Sequence, residues 1–159
     1  QAGGSESAGP PTPPTKISDG DRYPDDQDGK PIPFRPSQVI GLDESLEHTL
    51  HGDPGYRSGG HLYSTVVENM FEGKIAFPES WTEQRIEQVC WSVIRGATRV
   101  ISRGQRFLLT ATVDDVQVTV QVIHRATGPV VRTAHPDGGV GVMRVHDGAL
   151  SPVALESSA

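Results

Sequence analysis

The apolar positions in the first half of the chain recur at helical spacing in two segments. In residues 37–50 the spacing fits one helix face from Leu42 onward, with His48 near the end of the helix. A second helix is predicted to begin after Thr82, a residue type that caps helix N-termini, and to end near Gly96. Its apolar residues recur at spacings of three and four, which places them on one face of the helix: Ile86, Val89, Cys90, Val93 and Ile94.

The second half of the chain has the period of β-strands. Residues 107–113 and 130–135 are rich in apolar and β-branched residues, and in residues 116–123 valines alternate with glutamine and threonine. The pairs Asp114-Asp115 and Gly128-Pro129 are turn signals between these runs. We therefore predict an α+β fold in which N-terminal helices pack on a C-terminal antiparallel β-meander.

Composition places the folded domain in the middle of the chain. Residues 1–40 hold 8 of the 13 prolines, so we expect residues 1–37 to be a disordered Pro/Gly-rich linker. Residues 38–145 are expected to form one domain, followed by a frayed tail over residues 146–159. The first residues lack a signal-peptide pattern, and no apolar run approaches the roughly 20 residues of a membrane-spanning helix. We expect a monomeric piece of a longer protein, with any export signal elsewhere.

Charge and cysteine content narrow the classes of function. The net charge of −6 argues mildly against nucleic-acid binding, but residues 41–145 carry ten Lys/Arg against twelve Asp/Glu, so most of the excess lies in the tails. The single cysteine, Cys90, excludes an internal disulfide and is expected to be a buried structural thiol. Four arginines at spacings of four, four and three form either a phosphate-facing strip or a solvated face: Arg95, Arg99, Arg103 and Arg106.

Two histidines thirteen residues apart are the strongest candidates for chemistry. His48 opens the run His-Thr-Leu-His-Gly-Asp, and His61 directly follows Gly59-Gly60. Imidazole, with an ordinary pKa of about 6.5, can take or give a proton near neutral pH. Glycines beside a histidine allow the backbone to approach a phosphate closely. The pair therefore indicates acid–base cleavage of a phosphodiester, as in the cleavage of RNA through its own 2′-hydroxyl.

The order of these motifs resembles the bacterial EndoU-type endoribonuclease domain over residues 45–137. The shared features are His48 followed by Gly-Asp, the Gly-Gly-His61 run, Gly-Lys74-x-x-Phe-Pro-x-x-Trp-Thr before a helix, and Thr133 at the end of a β-hairpin. Domains of this family commonly form the C-terminal module of polymorphic, contact-dependent or secreted toxins. The resemblance implies metal-independent or weakly metal-assisted cleavage of RNA, often beside uridine, that leaves a 2′,3′-cyclic phosphate.

The resemblance also implies roles for individual residues. His48 and His61 are the acid and the base; the residues do not decide which is which, and we take His61 as the base and His48 as the acid. Lys74 would stabilise the charge that builds on the non-bridging oxygens of the phosphate, with Arg125 and Arg132 as rivals for that role. We expect no cofactor and no metal ion.

Substrate contacts are expected from the glycine loop and from the end of the last predicted strand. Thr133 matches the family's hydroxyl that contacts phosphate or the uracil ring. Where the family usually has tyrosine this chain has His135, which puts base preference in doubt more than the reaction. A structural role at a strand end is the alternative for both residues. The residues expected to bind substrate are Gly59, Gly60, Arg132 and His135.

The expected partners follow from the same resemblance. RNA is the substrate, with transfer RNA as one candidate, and a cognate immunity protein would protect the producing cell. The domain would be secreted or delivered within a larger toxin and act in the cytoplasm of the target cell.

Two readings from other classes stay open at this stage. The first is a metal-dependent hydrolase with His48, His51, Asp53 and His61 as ligands, although no His-Glu-x-x-His motif occurs. The second is a non-catalytic protein-binding module, which the mild charge and the β-hairpin would suit. P-loop, nucleophile-elbow and dinucleotide-binding motifs are missing from the sequence.

Overall fold

The structure is a computed structural model that describes residues 19–53 and 58–155. Within these ranges three α-helices follow two short turns of 3₁₀ helix at Asp19–Asp21 and Pro36–Gln38. The helices are α1 (Leu42–His51), α2 (Tyr63–Asn69) and α3 (Glu83–Gly96). None of the described helices has the length and apolar character needed to cross a membrane.

Seven strands form two antiparallel sheets. The larger sheet is a meander in chain order: β2 (Arg99–Arg103), β3 (Arg106–Val113), β4 (Val116–Arg125) and β5 (Gly128–Gly139). The smaller sheet has the order β1–β6–β7, with strands β1 (Ile75–Ala76), β6 (Met143–His146) and β7 (Ala149–Pro152). Strand β1 contacts β5, so the small sheet lies beside the edge of the meander. The predicted α+β class, with helices packed on an antiparallel β-meander, is confirmed.

The core lies between the helices and one face of the meander. Helix α3 packs on β3 and β4, and α1 packs on β5. The Thr82 side chain caps α3 by accepting the N–H of Arg85 at 3.0 Å, and the helix ends at Gly96 as predicted. Cys90 is fully buried, and burial raises the pKa of its thiol to about 12, in keeping with a structural thiol. Residues that face the helices include Val100, Leu109, Val118, Val120 and Val122.

The domain begins earlier than the composition indicates. Tyr23 and Phe34 are buried in the main core, and Phe34 meets the edge of Phe107 with ring centroids 5.1 Å apart. The Tyr23 hydroxyl donates a hydrogen bond to the carbonyl oxygen of Ile94 on α3. The prediction of a disordered linker is therefore wrong for residues 19–37, because two aromatic rings between prolines are buried against other elements. Residues 1–18 lie outside the described part.

The chain also stays folded beyond the predicted end at residue 145. Strands β6 and β7 form a hairpin, and Asp147 and Gly148 at its turn both have positive φ, of 52° and 77°. Val153 then donates its N–H to the carbonyl oxygen of Val142 and accepts that of Gly139. The prediction of a frayed tail is wrong as far as residue 155, and residues 156–159 lie outside the described part. The Asp-Gly pair was the overlooked hairpin signal.

The four regularly spaced arginines do not share one face. Arg95 lies at the end of α3 and stacks on Trp91, with its guanidinium carbon 5.1 Å from the ring centroid. Arg99 and Arg103 lie on the face of β2 opposite the buried Val100, and Arg106 on β3 pairs with Arg103 on that same face. A strip of all four arginines is therefore excluded, but three of them share one face of the sheet. The regular spacing of the four arginines does not reflect one helix, because α3 ends at Gly96 and a strand that the sequence did not predict, β2, begins at Arg99.

Removing the Phe34 ring tests whether residues 19–37 belong to the domain. We expect Phe34→Ala to lower the free energy of unfolding by about 3–5 kcal/mol, because it leaves a cavity beside Phe107 and Tyr23. Chemical denaturation measures the change. The control is Val140→Ala, at a side chain that is 69% exposed, for which a change within about 0.5 kcal/mol is expected. Equal stability of Phe34→Ala and the parent chain would contradict the assignment.

Candidate active site

The end of α1 is joined to the loop that carries His61. The last carbonyl groups of a helix have no partner within the helix and need one elsewhere. Here three consecutive carbonyl oxygens accept three consecutive loop N–H groups: His48 from Gly60 at 3.0 Å, Thr49 from His61 at 2.8 Å, and Leu50 from Leu62 at 3.1 Å. This ladder brings His61 next to His48 in space although thirteen residues separate them.

Gly59 and Gly60 allow the loop to come this close. Both have φ of +72°, a conformation that residues with side chains rarely adopt. A Cβ at Gly59 would overlap the carbonyl oxygen of His48 and lie 2.9 Å from its Nε2. The contact that the structure assigns to these glycines is therefore with His48. Their predicted contact with a phosphate stays a prediction.

A carboxylate orients the ring of His48. The Nδ1 of His48 lies 3.1 Å from Oδ2 of Asp53, while its Nε2 lies beside Gly59. A histidine whose one nitrogen donates to a carboxylate is held in one tautomer and one orientation. His51, three residues on, instead places its Nε2 3.5 Å from Glu83 at the start of α3. Of the two histidines on this turn, His48 is the one that faces the loop.

His61 is held in its neutral form. Its Nδ1 donates to the carbonyl oxygen of Ile75 at 2.8 Å, since a carbonyl can only accept. Burial lowers the pKa of His61 to about 4; the Ile75 hydrogen bond opposes this, and the nearby charges of Lys74, His135 and His48 add to it. At neutral pH the ring is therefore uncharged, and its Nε2 carries the lone pair that a general base needs.

Lys74 belongs to the same cluster. Its ammonium donates to the carbonyl oxygen of Gly59 at 2.6 Å, on the loop that touches His48. Lys74 also lines, together with His61, a shallow depression of about 230 Å³. The predicted group of His48, His61 and Lys74 is thus assembled around one glycine loop.

His135 joins this cluster as a third imidazole. Its ring centroid is 5.9 Å from that of His61, and its Nδ1 lies 3.3 Å from Oδ1 of Asp137. Burial lowers the pKa of His135, but the hydrogen bond and the charge of Asp137 outweigh it, so the pKa is raised. Asp137 in turn accepts the Thr119 hydroxyl at 2.6 Å and the Gln117 amide at 3.2 Å. The structure therefore pairs a neutral His61 with a His135 that favours its charged form.

Asp53 and Asp137 are orienting groups that the sequence patterns do not reveal as such. In the sequence Asp53 stands out only as part of its motif and as a candidate metal ligand. Asp137 follows His135 by two residues, the spacing that places side chains on one face of a strand. This two-residue spacing is the sequence signal that could have identified the His135–Asp137 pair.

The remaining predicted residues are less well placed. The Oγ1 of Thr133 is buried and has no hydrogen-bond partner in the described residues, so its contact with substrate stays a prediction. Arg132 is exposed at an irregularity in the β4–β5 ladder and does not line the cleft beside His135.

Arg125 lies six residues along β4 from Thr119, the residue that pairs with His135 across the two strands. At the usual rise per strand residue this separation is about 20 Å. Arg125 is therefore too far away to replace Lys74.

The four proposed metal ligands do not meet. His48 pairs with Asp53, His51 turns to Glu83, and His61 bonds to a backbone carbonyl. Within residues 19–53 and 58–155 only one group of three such side chains has ligand atoms within 4.8 Å of one another, and it is exposed: Glu72, His146 and Asp147. The geometry contradicts a metal centre built from His48, His51, Asp53 and His61.

Comparisons with protein-family models, with curated proteins and with solved structures give no match for this chain. The functional argument therefore depends on the arrangement of the side chains.

The environment of His61 predicts its titration. The unfolded chain binds a proton at His61 near pH 6.5 and the folded chain only near 4. Stability should therefore fall as the pH drops through this window, by about 3 kcal/mol more in the parent chain than in His61→Gln. Nuclear magnetic resonance (NMR) of the imidazole measures the pKa, and denaturation at several pH values measures the stability. A His61 pKa near 6.5 would contradict the assignment.

Asp137→Asn tests the second pair. The neutral amide removes the charge that favours imidazolium, while burial remains, so the pKa of His135 should fall below its ordinary value of 6.5. NMR titration of His135 in the two proteins measures the shift. Glu72→Gln, beside the exposed His146, is the control and should leave His135 unchanged. An unchanged pKa of His135 in Asp137→Asn would show that Asp137 does not hold it.

Proposed function

We propose that this chain is an EndoU-type endoribonuclease, which cleaves RNA by attack of a 2′-hydroxyl on the adjacent phosphate and leaves a 2′,3′-cyclic phosphate. The observation that carries the proposal is the junction at Gly59, where His48, Lys74 and the His61 loop meet. Three groups able to accept a proton, donate a proton and stabilise negative charge are the requirements of this reaction.

His61 acts as the base in this proposal. Its neutral Nε2 takes the proton of the 2′-hydroxyl while the oxygen bonds to phosphorus. The low pKa of His61 keeps this nitrogen unprotonated throughout the neutral range, and the Ile75 carbonyl fixes the tautomer. His48 acts as the acid and gives its proton to the 5′-oxygen as the phosphorus–oxygen bond breaks. Asp53 supports this role, because its carboxylate holds the His48 ring in one orientation.

Two further groups, Lys74 and His135, are proposed to contact the phosphate. Lys74 lies on the Gly59 carbonyl, and His135 is kept prone to protonation by Asp137. Positive charges that are already in place stabilise the charge that develops on the non-bridging oxygens. In this proposal Lys74 and His135 bind the phosphate group that the two other histidines act on.

The biological setting is proposed from the motif order alone. A domain of this kind would be the delivered part of a larger toxin, act on RNA in the target cell and have a cognate immunity protein in the producing cell. A non-catalytic protein-binding module is the competing function. The charge arrangement around His61 favours catalysis, since a binding surface does not require a partly buried histidine of lowered pKa beside Lys74 and a histidine of raised pKa.

The test is cleavage of RNA by the purified chain in the presence of a metal chelator, with analysis of the product ends. We expect 2′,3′-cyclic phosphates, and a loss of about 10²–10⁴-fold in rate for His48→Ala and for His61→Ala. The matched control is His51→Ala, on the same turn but facing Glu83, which should retain the parent rate.

Three results would contradict the proposal. If the RNA stays uncleaved, the chain is not this ribonuclease. If the products carry 5′-phosphate ends, the reaction is a different one. Equal loss of activity in His51→Ala and His48→Ala would show that the effect comes from damage to α1 and not from the chemistry of His48.

A further inference from the structure

A cleft of about 430 Å³ runs from His135 across the face of the meander that points away from α3. Residues from β2 to β6 line it, together with Ile75 of β1. Arg99 on β2 lies three strands from His135 on β5, which is about 14 Å at the usual strand spacing. This distance exceeds the span of one nucleotide, so the cleft leads away from the candidate active site.

The two arginines of the cleft give it a positive potential. Arg99 and Arg144 are exposed and line the cleft, and neither forms an ion pair with another described residue. The carboxylate in the cleft, Asp137, is already engaged by His135, Thr119 and Gln117. Unpaired guanidinium groups are well suited to phosphate oxygens, which they contact with two parallel hydrogen bonds.

The surface between the arginines suits a nucleobase. Ile101 and Leu108 are half-buried and provide apolar surface, while Gln117 donates one amide hydrogen to Asp137. The amide oxygen of Gln117 has no partner among the described residues and is an acceptor for a base edge. The volume lies in the range of roughly 300–1,000 Å³ that is usual for small-molecule sites.

We propose that this cleft binds single-stranded RNA next to the cleaved bond, with one backbone phosphate on Arg99, another on Arg144, and a base between them against Ile101, Leu108 and Gln117. The nucleotide bound there lies beyond the two that the cleaved phosphate joins. The inference rests on the proposed function, and it adds a site that contributes to substrate binding and not to the chemical step. Single strands fit this role because their unstacked bases expose the edges that side chains contact.

The experiment compares a dinucleoside monophosphate, which contains only the cleaved bond, with a hexanucleotide that contains the same bond. For Arg99→Ala/Arg144→Ala we expect KM for the hexanucleotide to rise about 10–100-fold with kcat nearly unchanged. The dinucleotide should be cleaved at the parent rate. The matched control is Arg103→Ala/Arg106→Ala, a pair on the same face of the sheet that lies just beyond Ile101 and Leu108 and does not line the cleft.

A second arm measures binding without cleavage. The probe is the hexanucleotide with a 2′-deoxyribose at the cleaved position, labelled for fluorescence anisotropy. Removing Arg99 and Arg144 should weaken binding and reduce the slope of log K against log salt by about 1.4, or about 0.7 for each lost phosphate contact. The Arg103/Arg106 control should bind the probe as the parent chain does.

The outcomes separate this inference from the proposed function. If the parent chain cleaves neither substrate, the proposed function is wrong, and the binding measurement alone then tests whether the cleft binds RNA. If Arg99→Ala/Arg144→Ala has the same hexanucleotide KM and the same probe affinity as the parent chain, the proposed RNA site in the cleft is wrong. Equal losses in both double variants would also overturn it, because they would reflect net charge and not a site.

Discussion

The hydrogen bonds between the last turn of α1 and residues 60–62 hold the candidate active site together. They satisfy the carbonyl groups of Thr49 and Leu50, while that of His48 also accepts the N–H of Gly52, and they fix the loop that carries His61. The same contact forces Gly59 against His48 and places the Gly59 carbonyl within reach of Lys74. One backbone arrangement thus positions three of the side chains on which the proposed reaction depends.

The environments of the three imidazoles differ because their partners differ. His61 donates to a backbone carbonyl and is partly buried beside Lys74, and its pKa is lowered, so its neutral form is favoured. His48 and His135 each face a carboxylate, Asp53 and Asp137 respectively. The pKa of His135 is raised, and neighbouring groups whose pKa values are pushed apart in this way suit acid–base catalysis. This contrast gives physical support to the choice of His61 as the base.

Local patterns predicted the parts of the structure that depend on local interactions. Helix α3 has a cap at Thr82 and a regular apolar face, and the β-meander has alternating residues and clear turns, so both were found. The segment with Tyr23 and Phe34 was missed because its stability comes from distant residues such as Phe107. Strand β2 was missed because its arginines continue a helical spacing from the preceding helix.

In the candidate site, too, the sequence predicted the residues that lie in local motifs and missed the roles that depend on distant contacts. His48, His61 and Lys74 lie in short motifs with glycines, which single them out. The role of Asp137 depends on a strand register that places it beside His135. The alternative of a metal site at His48 and His51 stayed open until the structure turned His51 to Glu83. Spacing along the chain does not specify which face of a helix end points to the site.

In the proposed function His48, His61 and His135 face one phosphate. This arrangement can be examined by titrating the chain with uridine 3′-monophosphate and following the histidine side chains by NMR. We expect the signals of all three rings to shift together and saturate with a single dissociation constant, while His51 and His146 stay unchanged. Shifts confined to one ring, or different dissociation constants for the three, would contradict it.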